Sequence, residues 1–113
     1  MRHIANDQGL IDEVLKDKNG GGGRVPLGWM RSFLETAPAV EPEQFVDTPV
    51  LMVHPGNDRW IPLEVSMPFF DRIAAQKYLV VLDNCGHFPI EKPGFLQMLD
   101  AVETFLDDLN SKH

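Results

Sequence analysis

A chain of 113 residues forms one small domain at most, and 43% apolar with 24% charged residues is the composition of a soluble globular protein. A net charge of −7, with no stripe of Lys and Arg, excludes nucleic acid as a partner, and no apolar run reaches membrane-spanning length. The start, Met1-Arg2-His3-Ile4-Ala5-Asn6-Asp7, has no apolar h-region, and the lone Cys85 has no internal disulfide partner, so a reducing, cytoplasmic setting is expected.

The spacing predicts a first helix over Asp7 to Lys18, with Leu10, Ile11, Val14 and Leu15 on one stripe and Asn6 or Asp7 as its cap. Asn19 and Gly20 to Gly23 end it. That glycine run follows a helix and lacks a Gly-Lys-Ser/Thr ending, so it reads as a flexible turn and not as a phosphate loop. A second helix is expected from Pro26 to Thr36, with Leu27, Met30 and Leu34 flanked by Trp29 and Phe33. So wide an apolar face packs on the core or lines a pocket; packing is the plainer reading, and Trp29 is kept as a pocket candidate. Pro38, Pro42 and Pro49 forbid a long element between 37 and 49, with at most one helical turn over Glu41 to Phe45. An organisational boundary is therefore placed at residue 48, dividing 1–48 from 49–113.

Two short apolar runs follow, Val50-Leu51-Met52-Val53 and Lys77-Tyr78-Leu79-Val80-Val81-Leu82. They read as strands at 50–54 and 78–83, buried on both faces as in a parallel sheet covered by helices. Between them a helix is expected over Leu63 to Ala75, with a kink or a late start at Pro68. After Pro93, Phe95, Met98, Leu99, Val102, Phe105, Leu106 and Leu109 keep helical spacing over four turns. The fold class is α/β.

Each strand is followed by a loop with a chemically competent residue. The first is His54-Pro55-Gly56-Asn57-Asp58-Arg59-Trp60-Ile61-Pro62, and the second is Asn84-Cys85-Gly86-His87-Phe88-Pro89. Parallel strands joined through a helix deliver their following loops to the same sheet edge, where open α/β sheets hold their sites. Asp58 and His87 should therefore meet, a carboxylate beside an imidazole, which is two-thirds of a nucleophilic triad. Gly56 and Gly86 are expected to supply the sharp turns. Trp60 and Phe88, next to the pair in each loop, are candidates to wall a substrate pocket or to fill the core. His54, Asp58 and His87 together also suggest metal ligands, and Cys85 a reactive thiol or buried packing.

From Thr48 to Leu109 the chain resembles the C-terminal part of an α/β-hydrolase. The run Pro49 to Pro62 resembles that family's penultimate strand and acid loop. Asn84 to Pro93 resembles its histidine loop, in which Gly86-His87 is followed by Glu91 and Pro93. Residues 1–48 are similar, more weakly, to the tail of a helical cap. The resemblance implies a truncated α/β-hydrolase fold with Asp58 as triad acid and His87 as general base, and it explains both residues without a metal. No cofactor is implied.

In that family the nucleophile precedes the acid in a Gly-x-Ser-x-Gly turn. Ser32, Ser66 and Ser111 all lack the flanking glycines, and Ser66 and Ser111 follow Asp58. The expectation is thus a C-terminal fragment of a longer esterase-like hydrolase, inactive alone, whose parent takes a small-molecule acyl substrate. The alternatives are a parent with an aspartate nucleophile, of the epoxide or haloalkane type, and a non-catalytic binding module. The bare edge of the first strand predicts self-association.

Overall fold

The computed structural model describes residues 6–19 and 23–112. It contains helices α1 (Gln8–Lys16) and α2 (Leu27–Glu35), a 3-10 turn (Pro42–Gln44), strand β1 (Val50–Pro55), helix α3 (Leu63–Arg72), strand β2 (Lys77–Leu82) and helix α4 (Gly94–Ser111). The architecture is mixed α/β, four helices with a two-stranded parallel sheet in register from Val50 opposite Lys77 to Pro55 opposite Leu82. No helix among the described residues is long and apolar enough to cross a membrane. Of the expected glycine turn, Gly20 to Gly22 lie outside the described residues.

Local chemistry sets the boundaries. Asp7 caps α1, its Oδ1 accepting from the Leu10 amide at 2.8 Å. α3 runs through Pro68, which leaves the Glu64 carbonyl without its usual amide donor. The helix ends where the Lys77 ammonium donates to the carbonyls of Phe70, Asp71 and Ile73 at 2.8 to 2.9 Å, so the first residue of β2 satisfies the last turn of α3. Upstream of β1, the Pro42 turn is fastened to α3 by Arg72 paired with Glu41 and Glu43, and by the Ala74 amide on the Pro42 carbonyl.

Two expectations about packing are corrected. The strands are half-buried and not enclosed on both faces, and Tyr78 and Val81 of β2 are exposed. α2 packs on no other helix or strand among the described residues, and Leu27, Trp29, Met30, Phe33 and Leu34 all face outward. Trp29 stacks on Phe33 of its own helix, ring centres 5.4 Å apart. Amphipathic spacing states which face calls for burial, not whether the same chain supplies the partner. A radius of gyration of 16.6 Å, against about 13 Å for a compact chain of this length, records the same openness.

The tightest packing lies just past β2. Leu82 and Cys85 are fully buried there, and Gly94 brings the start of α4 hard against them. A Cβ on Gly94 would overlap the Cys85 sulfur and come within 2.6 Å of the Asp83 carbonyl oxygen. The Gln97 amide closes the same corner, accepting from the Asp83 amide and donating to its carboxylate, both at 2.8 Å.

Candidate active site

The parallel register carries the two loops to one edge of the sheet and locks them together by main-chain bonds. The Gly56 amide donates to the Leu82 carbonyl at 2.7 Å, and the Asn57 amide to the Cys85 carbonyl at 3.0 Å. Here the role expected of the glycines is corrected. No glycine among the described residues has positive φ; the left-handed position is taken by Asn84, at φ 54°, a residue that tolerates it better than most. Gly56 serves close approach instead, since a Cβ there would stand 2.5 Å from the Leu82 carbonyl oxygen.

Asp58 and His87 meet at this edge, with Oδ2 2.8 Å from Nδ1. The other carboxylate oxygen accepts from the Trp60 amide at 2.8 Å and the Ile61 amide at 3.0 Å, so the acid loop folds around its own side chain. The Asp58 side chain is only 2% exposed, whereas that of His87 is 29% exposed. Burial pushes the Asp58 carboxyl up. The Ile61 amide, the His87 ring and the Trp60 amide outweigh it and hold the group below its ordinary value. An ionised carboxylate only accepts, so the facing Nδ1 carries the proton and the neutral ring keeps its lone pair on Nε2.

The aromatic candidates divide. Trp60 lies against the imidazole, ring centres 4.5 Å apart and tilted by 55°, and Phe88 stands 6.3 Å away in a nearly parallel orientation. Both are about 40% exposed and flank His87 at the surface, with 42% for Trp60 and 40% for Phe88. Trp29, in α2, is not brought to the pair. A cavity of about 430 Å³ lies between α4 and the sheet, lined in part by Leu51, Tyr78, Val80, Phe105 and Leu109, and includes neither Asp58 nor His87.

Among the described residues, no three His, Cys, Asp or Glu side chains converge as a metal site requires. His54 is buried in β1, its Nδ1 donating to the Pro55 carbonyl at 2.9 Å. Cys85 is buried, and burial together with the nearby Glu91 charge pushes its thiol up, so it is packing and not a poised nucleophile. Sequence reasoning missed the role of Glu91. Its carboxylate accepts from the Gly86 amide at 3.3 Å and the Asn6 amide at 3.0 Å, and its carbonyl accepts from the Cys85 thiol at 3.2 Å. Its only signal was its place in the histidine-loop phrase.

No protein-family model matches the chain. Among curated proteins, it is 32% identical over 89 residues to two from Mycobacterium tuberculosis. These are uncharacterized protein MT2364 of strain CDC 1551 / Oshkosh and uncharacterized protein Rv2307c of strain ATCC 25618 / H37Rv. The matched stretch is 76% of this chain and 32% of each relative, so the chain spans about a third of the length of the curated relatives it matches.

Proposed function

We propose that Asp58 and His87 are the acid and the general base of a nucleophile–histidine–aspartate triad. On this reading the chain is the C-terminal part of an α/β-hydrolase-fold enzyme that acts on an ester or other small acyl substrate. The observation that carries it is the 2.8 Å contact between Asp58 Oδ2 and His87 Nδ1 at the edge where the loops after two parallel strands meet. His87 takes a proton from the nucleophile hydroxyl at Nε2 and returns it to the leaving group, while Asp58 fixes the ring tautomer and stabilises the imidazolium. Trp60 and Phe88 flank the acyl site. The chain by itself carries no elbow serine and is inactive, and its relatives, of which the matched 89 residues are 32%, leave room for a nucleophile half.

The test uses the full-length gene product, assayed on aryl esters of varied acyl length as wild type and as His87→Ala. Loss of at least about 100-fold in turnover is expected. Equal turnover in the variant, or no Ser upstream in a Gly-x-Ser-x-Gly turn, overturns the esterase reading; an Asp at that turn moves the assay to epoxides and haloalkanes. A second reading, a non-catalytic module that oligomerises, is favoured by the outer edge of β1, which pairs with no strand among the described residues.

A further inference from the structure

We infer that Asn6 and Glu91 are positioning residues that bracket the Asp58–His87 pair from outside. Asn6 precedes the helix cap, and an asparagine there ordinarily turns to its own helix or to water. Its main-chain N–H and both side-chain groups instead reach the site loops. Its amide N–H donates to Glu91 Oε1 at 3.0 Å, its Nδ2 donates to the Asn57 carbonyl at 3.3 Å, and its Oδ1 accepts from Arg59 Nε at 3.1 Å. Asn57 and Arg59 are the two neighbours of Asp58 in the chain. The second oxygen of Glu91 accepts from the amide of Gly86, the neighbour of His87.

The bonds close into a circuit. Asn57 holds Cys85 by a main-chain bond, Cys85 holds Glu91 through its thiol, Glu91 holds Asn6, and Asn6 returns to Asn57. Without this bracket the main-chain bonds between the two loops lie close to the strand ends, at Gly56 and Asn57, and beyond them the loops meet only through the Asp58–His87 bond and Trp60 against the imidazole. A single 2.8 Å hydrogen bond between side chains is sensitive to any parting of the loops, because its strength falls steeply with distance and angle. The segment before α1 thereby sets the geometry of a pair that lies 52 and 81 positions further on.

The inference concerns the pair itself and stands apart from the hydrolase reading, because its test reads a proton and not turnover. In the full chain, labelled with ¹⁵N-histidine, the exchange of the His87 Nδ1 proton with solvent is measured by NMR, the signal being assigned by its loss in His87→Gln. Asn6→Ala removes two of the three bonds, and Glu91→Gln leaves one acceptor oxygen for two donors. Exchange is expected to quicken about fivefold for each bond lost. Asn6→Asp keeps the acceptor for Arg59 but sets a carboxylate oxygen against the Asn57 carbonyl in place of the Nδ2 donor, so it too should quicken exchange, and it carries the test if Asn6→Ala does not fold. Glu13→Gln, an exposed change on α1 away from the bracket, should leave the rate as it is. Unchanged exchange in the folded Asn6 variants, or equal quickening in Glu13→Gln, overturns the assignment.

Discussion

Asp58→Asn separates the orienting role of the carboxylate from its place in the loop. The amide oxygen of the variant can still accept from Trp60 and Ile61, as Oδ1 does now. What changes is the edge that meets His87, where a donor replaces an acceptor. The imidazole must then accept at Nδ1 and carry its proton on Nε2, the opposite tautomer. A charge-assisted hydrogen bond gives way to a neutral one, which costs about 1 kcal/mol and lowers the urea midpoint by somewhat less than about 1 M.

The dependence on pH follows from the direction in which Asp58 is displaced. Its carboxyl ionises below the ordinary value of about 3.9. Its contribution to stability is therefore complete above that ordinary value and is lost as pH falls through the lower, folded value. The gap between wild type and variant should begin to close below about pH 4. Urea melts at a series of pH values measure the gap, and ¹⁵N shifts of His87 report the tautomer. In the longer enzyme that we propose, a wrongly placed proton should cost about 10⁴ in turnover. Equal stability at every pH, with the proton still on Nδ1, would refute the account of Asp58 given above.

Three further outcomes can be stated. Gly94→Ala forces the start of α4 away from Cys85 and Asp83 and should cost about 1–3 kcal/mol in a urea melt; Cys85→Ala should rescue it only in part, because the Asp83 carbonyl remains in the way. Cys85 should react with Ellman's reagent only on unfolding, since it is fully buried and its thiol is held up by burial; labelling of the native chain at the rate of the unfolded one would contradict this. Light scattering at micromolar concentration should find the chain self-associated through the open edge of β1, and Val53→Pro, which removes an amide that faces that edge and not β2, should favour the monomer; undiminished association in the folded variant would refute the edge as the contact.

The strands and the meeting of Asp58 with His87 were legible because each rests on a short-range signal. Runs such as Val50 to Val53, closed by prolines, mark a strand, and parallel connectivity then carries both loops to one edge. The solitary state of α2 was not legible, since Leu27, Met30 and Phe33 have the same spacing whether or not a partner exists. Nor was the division of labour in the turns. A glycine can be required by positive φ or by the lack of a Cβ, and only coordinates tell that Gly56 is the second kind and that Asn84 holds the left-handed turn. The tie from Asn6 to Glu91 joins polar residues 85 positions apart and leaves no periodic trace.

Order in this chain is concentrated behind the pair and thins away from it. Leu82, Cys85 and Gly94 form the dense corner beneath the histidine loop, while α2 and the outer edge of β1 stand open. The general base that we propose needs its ring held in one tautomer and one direction, and the contacts described around His87 lie within residues 50–97 and Asn6. The 2.8 Å contact of Asp58 with His87 depends on nothing that would pair with β1 or cover α2. A complementing segment or copy that covers those surfaces would therefore meet an Asp58–His87 contact already formed, and on the reading we propose its docking would add a nucleophile and a pocket without rebuilding the pair.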